Sequence, residues 1–138
     1  MRILALTRYG RLGSSSRVRF YQYFPYLQSQ GVEIVNASFF NDEYVNNFYS
    51  GSRISLRVIV QAYLKRLQEI THSNSFDLLW IEKEILPWFP ALHETLLSKS
   101  KTPYVVDYDD AVFHRYDMHS SALIRTVLGH KIDSVMRH

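Results

Sequence analysis

The stretch Arg2-Ile3-Leu4-Ala5-Leu6-Thr7-Arg8-Tyr9-Gly10-Arg11-Leu12-Gly13-Ser14-Ser15-Ser16-Arg17 decides the fold class. Arg2 to Thr7 is a short apolar run bounded by Arg8-Tyr9-Gly10, and it reads as a buried strand. Arg8 to Ser16 contains two glycines and three serines and reads as a loop, with Ser15 or Ser16 placed to cap a following helix. Phe20, Tyr23, Phe24 and Leu27 then recur at helical spacing on one face. Pro25 falls inside that pattern and should kink or restart the helix. Gly31 is placed to stop it. A strand, a Gly/Ser/Arg loop and a helix, in that order, open a Rossmann-like α/β domain and offer a helix start to an anionic ligand.

The alternation continues outward from there. Val32 to Asn36 reads as a second strand. Ala37 to Gly51 is aromatic and Asn-rich without a clear period, and reads as a loop with room for a short helix. Ile54 to Ile70 is the longest helical pattern, with Val58, Ala62, Leu64 and Leu67 inward and Arg57, Lys65 and Arg66 in water. Phe76 to Ile81 is a third strand, Glu82 to Pro87 a polar connection, and Trp88 to Ser98 a helix with Leu92, Leu96 and Leu97 inward. Pro103 to Asp107 is a fourth strand, Tyr108 to Met118 a loop, and the chain is helical from His119 on. The order β-α-β-α-β-α-β-α predicts a parallel sheet with right-handed crossovers and helices on both faces, in one domain spanning residues 1–138. The last helix is still amphipathic at Val135 and Met136 where the sequence stops, which suggests a piece of a longer protein.

Bulk composition narrows the function classes. The chain has 138 residues, enough for one domain with a real core. It has no Cys, so disulfides and thiolate chemistry are excluded and a reducing compartment is expected. The net charge of +3 suits an anionic ligand, but Lys and Arg are scattered rather than gathered into a nucleic-acid stripe. The apolar start is too short for a signal peptide, and no apolar run reaches the roughly 18 residues of a membrane span. A soluble cytoplasmic protein is the expectation.

In open parallel sheets ligands bind beyond the carboxyl ends of the strands, which selects three loops. In the first, Gly10 and Gly13 let the backbone approach a ligand, Ser15 sits at the helix start, and Arg17 and Arg19 can grip phosphate or carboxylate. The spacing fits neither the dinucleotide fingerprint nor a P-loop, and a flexible loop with a serine cap is the plainer reading. In the second, Glu82-Lys83-Glu84 places two carboxylates where they can bind substrate hydroxyls, although a solvated, self-compensated turn would look the same. In the third, Asp107, Asp109 and Asp110 crowd the end of the fourth strand. Such crowding is costly unless the charges are paired, hydrated or ligand-bound, and one of them can serve as a base. His114 could assist, but a lone His is more often a surface or capping residue.

Four segments together resemble a known family. They are Met1-Arg-Ile-Leu-Ala-Leu-Thr, Ser14-Ser15-Ser16-Arg17-Val18-Arg19 with Gln30-Gly31-Val32, Trp80-Ile81-Glu82-Lys83-Glu84-Ile85-Leu86-Pro87-Trp88, and Val106-Asp107-Tyr108-Asp109-Asp110-Ala111-Val112. Their order and spacing are similar to the N-terminal domain of GT-B glycosyltransferases of the retaining family 4 group. The resemblance implies the acceptor-side half of a two-domain enzyme, with the nucleotide-sugar donor and the paired-glutamate motif held by a C-terminal domain absent here. It implies transfer to a glycan, lipid or small-molecule acceptor, as in cell-envelope polysaccharide assembly, with no metal ion and no cofactor beyond the donor. Gly10 and Gly13 match the loop that meets the donor diphosphate. Arg17 and Arg19 stand where that branch places basic residues. Asp109 or Asp110 falls near the reacting sugar. The chain alone is then expected to lack transfer activity.

Two rivals stand beside this reading. Asp107-x-Asp109 after an apolar strand resembles the nucleophile motif of haloacid-dehalogenase-like Mg-dependent phosphatases, although Ala111 stands where Thr or Val is wanted and the strand is the fourth, not the first. A non-catalytic Rossmann-like binding module is the other. A receiver-type signalling domain is discarded, because Thr7-Arg8 stand where its acidic pair belongs. The aromatic stretch Phe39 to Tyr49 can line a sugar or lipid acceptor site or simply pack under a loop. With a lipid acceptor, peripheral membrane contact at the inner face would follow. Arg53, Arg57 and Lys65-Arg66 would serve that contact, and a wet helix face explains them equally well.

Overall fold

A computed structural model describes residues 1–97 and 102–137. Four strands, β1 (Arg2–Tyr9), β2 (Glu33–Phe40), β3 (Leu78–Glu82) and β4 (Tyr104–Asp107), form one sheet in the order β2-β1-β3-β4. All three pairings are parallel, with Leu6 beside Ala37 on one side and Ile81 on the other, and Ile81 beside Val106. The expected Rossmann-like α/β class is the one observed. Helices cover both faces, so β1 is apolar on both sides and shows no alternation. Leu4, Leu6, Leu79 and Ile81 point to one layer, against Ala62 and Tyr63 of α4 (Leu56–Thr71) and against Leu97 of α5 (Leu92–Leu97). Ala5, Ile34 and Trp80 point to the other, against Phe20, Tyr21 and Phe24.

The first helix departs from a single regular run. It begins as α1 (Ser14–Ser16), continues as a π-helical segment (Arg17–Tyr21), and restarts as α2 (Phe24–Ser29) with Pro25 in its first turn. The wider π turn shifts the phase of the face. Tyr21 is therefore buried beside Phe20, while Tyr23, expected inward, is exposed. Trp80 receives Phe20 at a ring distance of 4.3 Å and Phe24 edge-on at 6.2 Å. Gly31 follows the α2 cap with φ 78°, the left-handed stop expected of it.

Several boundaries are corrected. β2 runs on to Phe40, because β1 extends to Tyr9 and pairs with it. Asn36 is accommodated inside the sheet layer because its amide donates to Tyr21 Oη at 2.7 Å. The rest of the expected loop is α3 (Asp42–Tyr49), capped by Asn41, which accepts the Tyr44 N–H at 2.9 Å. α4 keeps its expected place, but its faces are rotated. Leu64 is exposed, and Arg66, expected in water, is only 2% exposed. The Glu82 to Pro87 segment is buried rather than a polar surface connection. α5 starts at Leu92, later than expected, with Leu92 exposed; the Leu96 side chain and Ser98 lie outside the described residues. The Tyr108 to Met118 loop contains α6 (His114–Asp117), and the terminal helix is two helices, α7 (Ala122–Leu128) and α8 (Lys131–Arg137). Val112, Tyr116, Leu128 and Ile132 form a separate small core there. No helix among the described residues is long and apolar enough to cross a membrane.

Candidate functional site

The chain runs from β1 outward to β2, then crosses back to β3 on the other side of β1. A crevice therefore opens above the carboxyl ends of β1 and β3, the place where open α/β sheets bind ligands. Glu82, the last residue of β3, stands in it and is 2% exposed. Its Oε2 accepts the Arg8 N–H at 2.7 Å and the Ser16 hydroxyl at 2.6 Å, and its Oε1 accepts the Ser15 hydroxyl at 2.8 Å. The serines are thus turned to a carboxylate. Neither caps the helix; the N-cap position is Gly13. Ser16 Oγ also accepts the Tyr9 N–H at 3.0 Å, which locks the loop onto the end of β1.

Lys83 follows with φ 66°, a left-handed conformation unusual for a residue with a Cβ. That turn lets neighbouring residues point in opposite directions. Lys83 Nζ lies 2.6 Å from Asp109 Oδ1 and 3.7 Å from Asp110 Oδ2. Ser15 Oγ reaches Asp109 Oδ2 at 3.2 Å and so lies between Glu82 and Asp109, with one proton to share between the two carboxylates. Burial pushes the Asp109 carboxyl up, but the Lys83 hydrogen bond and charge, with the Ser15 bond, hold it below the usual carboxylate range. Asp110 is different: its side chain is 78% exposed. Asp107 is held by Arg19, whose Nε and Nη2 each reach a carboxylate oxygen at 2.5 Å. The nucleophile of the phosphatase reading therefore has both oxygens occupied by a guanidinium.

Glu84 points the other way, into the protein, and its side chain has no exposed surface. It accepts the Tyr116 hydroxyl and the Lys131 ammonium, each at 2.6 Å, with Arg115 at 3.3 Å and Arg8 at 3.4 Å. Burial alone would raise its carboxyl. The Lys131 charge and hydrogen bond, the Tyr116 bond and the Arg8 charge outweigh that and hold it low. Glu84 binds the protein's own cations and presents no oxygen to a ligand.

The remaining sequence candidates are placed as follows. Gly10 and Gly13 are explained by packing inside the chain. A Cβ on Gly10 would lie 2.2 Å from Asp42 Oδ1, and one on Gly13 would lie 2.3 Å from Tyr9 Cβ. Arg17 is exposed on the π turn. His114 bonds Asp117 at 3.1 Å within α6 and does not join the carboxylate cluster. Glu82, Ser15, Arg19, Asp109 and Asp110 do come together. Sequence reading missed the role of Lys83 as the cation between Asp109 and Asp110, and missed Arg8, Arg115, Lys131 and Tyr116 as the groups that surround Glu84. Only the tight Glu82-Lys83-Glu84 run signalled them in advance.

Beside this ledge lies a cavity of about 90 Å³, lined by Tyr9, Gly13, Ser14, Ser15 and, from α3, Tyr44, Val45, Phe48 and Tyr49. Tyr44 stacks on Phe40 at 3.8 Å and 10°, and Phe48 lies parallel to Tyr44 at 6.5 Å. Ser15 lines the cavity and touches both Glu82 and Asp109, so the aromatic and acidic parts share an edge. Among the described residues no cluster of three or more His, Asp or Glu is arranged to hold a metal ion. Compared with known proteins, the chain matches no family model, no curated protein and no solved structure.

Proposed function

We propose that this chain is the acceptor-side wall of a nucleotide-sugar-dependent glycosyltransferase, with the donor held chiefly by a second β/α domain outside these 138 residues. The observation that carries this reading is the junction at Ser15. One hydroxyl joins a buried carboxylate at the sheet's switch point, an ionised aspartate beside an exposed one, and a cavity walled by aromatic rings. Sugars present hydroxyls that donate to carboxylates and C–H faces that lie on aromatic rings. Asp110 is the open carboxylate, so it is assigned to an acceptor hydroxyl. Asp109, kept ionised by Lys83, accepts hydrogen bonds and holds the acceptor rather than moving a proton. Arg17, exposed on the π turn that follows Ser16, is assigned to the donor's phosphates.

The test is amide chemical-shift mapping of the purified chain. Free mono- and disaccharides, and separately a set of nucleoside-diphosphate sugars, are titrated in. Saccharides are expected to shift Ser15, Tyr44, Asp109 and Asp110, with the response lost in Asp110→Asn, and no nucleotide-sugar is turned over. Shifts confined to other surfaces, or turnover by this chain alone, would overturn the assignment.

A further inference from the structure

From residue 44 to residue 68 the chain has no Asp or Glu, while Arg53, Arg57, Lys65 and Arg66 all fall within that span. Arg66 is buried and the other three are exposed, Lys65 being paired with Glu69 at 3.7 Å and Arg53 and Arg57 facing solvent. Within the same span α4 exposes Leu56 (73%), Val60 (48%) and Leu64 (58%). Their i, i+4, i+8 spacing sets them in one stripe along the helix. Apolar residues on the wet side of a helix need a reason when they form a stripe rather than lie scattered.

The stripe has a neighbour and a direction. Tyr63, three residues after Val60 and so beside it on the helix surface, packs on the exposed Phe89 at a ring distance of 5.2 Å and donates to Pro87 O at 2.6 Å. Apolar exposure thus passes from α4 to the Trp88-Phe89 turn after β3, where both rings are partly in solvent. α4 leads from the carboxyl end of β2 back to the start of β3 in a parallel sheet, so its first turn lies at the carboxyl edge. The exposed Phe48 and Tyr49, at the end of α3, precede it there. The nearest acidic side chains on the β3–α5 side, Glu84 and Glu94, are buried.

We propose that this face binds an anionic phospholipid bilayer. Leu56, Val60, Leu64 and Phe89 enter the headgroup boundary, and Arg53 and Arg57 pair with lipid phosphates, while Lys65 is held by Glu69. The charge pattern selects this partner: aliphatic and aromatic residues flanked by cations, with no carboxylate between them, match an interfacial amphipathic helix on an acidic membrane. The proposal stands on these residues and does not depend on the transferase reading. The face adjoins the carboxyl edge of the sheet, so a lipid-borne substrate would meet the ledge without leaving the bilayer surface.

Vesicle co-sedimentation of the full 138-residue chain tests it. Binding to phosphatidylglycerol vesicles is expected, with little binding to phosphatidylcholine vesicles and a strong loss at high salt. Arg53→Glu with Arg57→Glu should weaken binding by at least about tenfold. Leu56→Ser, Val60→Ser and Leu64→Ser together should abolish it. These positions are exposed, so unchanged melting temperatures would show that the fold survives. No binding to anionic vesicles, or binding untouched by either variant, would overturn the proposal. So would a concentration-dependent dimer of the wild type that the triple variant abolishes while vesicle binding persists, since the stripe would then serve a second copy.

Discussion

Lys131 on α8 reaches Glu84 after β3 at 2.6 Å, across 47 residues of sequence, and both side chains are almost wholly buried. Lys131 also donates to Leu86 O at 2.6 Å. One ammonium thus pins the last helix to the segment that leaves the switch point. Removing one partner of a buried pair leaves the other charge stranded, which costs about 3–5 kcal/mol. Lys131→Met should lose up to that much in urea unfolding, less whatever Tyr116, Arg115 and Arg8 still contribute at Glu84. Glu84→Leu combined with Lys131→Met should cost less than the two single losses added together, although Arg8, Arg115 and Tyr116 then lose their shared carboxylate. Single-variant losses that simply add in the double variant would show that the two residues are not coupled.

The same carboxylate predicts an acid transition. Glu84 is held below its ordinary value of 4.5 in the folded state, while the unfolded chain has no such restraint. As pH falls through the carboxylate range the unfolded state takes up the proton first. The stabilisation is therefore complete above about pH 4.5 and is lost as pH drops through the depressed folded value. Melting temperatures measured from pH 7 to pH 3 should fall more gently in Glu84→Gln than in the wild type. Parallel curves would assign the acid sensitivity to other groups.

Arg66 supports the underside of the same edge. Its Nη2 donates to Thr7 O at 2.8 Å and Ala37 O at 3.2 Å, tying β1 to β2 from below. Nε and Nη1 lack hydrogen-bond partners, although Glu69 lies 3.5 Å from Nε. Burial lowers its pKa to about 10. Arg66→Ala should cost about 2–4 kcal/mol, because it opens a cavity and removes two hydrogen bonds to strand carbonyls. Arg66→Met keeps the stem and removes the unpartnered nitrogens, so a smaller loss is expected. Equal losses in chemical denaturation would refute this division between packing and hydrogen bonding.

The two loop glycines should rank in a definite order. At Gly13 an added methyl meets Tyr9 Cβ, an atom fixed to the backbone of β1. At Gly10 it meets the Asp42 carboxylate, which can swing away at the cost of its bond to the Leu12 N–H at 3.0 Å. Gly13→Ala should therefore lose about 1–3 kcal/mol, and Gly10→Ala less. Thermal melts of the two variants decide this, and the reverse order would place the tighter contact at Asp42.

Local pattern revealed the elements whose signal is local. β1 announced itself as an unbroken apolar run, and α2 by Pro25 and Gly31. α3 was allowed for as a short helix but not placed, although Asn41-Asp42-Glu43 carries a cap and two acidic residues for a first turn. The extension of β2 beyond Asn36 was hidden because Ser38 looks like a loop residue until β1 pairs alongside it. Arg66 was misplaced because burial of an arginine depends on carbonyls supplied by other strands, which helical spacing does not reveal.

By itself, the sequence determined the class of fold, the alternation of strands and helices, and the gathering of Ser15, Glu82, Asp109 and Asp110 at one edge. Those follow from apolar periodicity and from the rule that parallel strands present their carboxyl ends together. Only the tertiary structure decided which carboxylates are spoken for. Glu82, Glu84 and Asp107 are bound by groups from residues distant in sequence, whereas Asp110 is left largely to solvent. Charge neighbours along a chain are visible in sequence; the cation that reaches a carboxylate across 47 or 88 residues is set by how the helices pack.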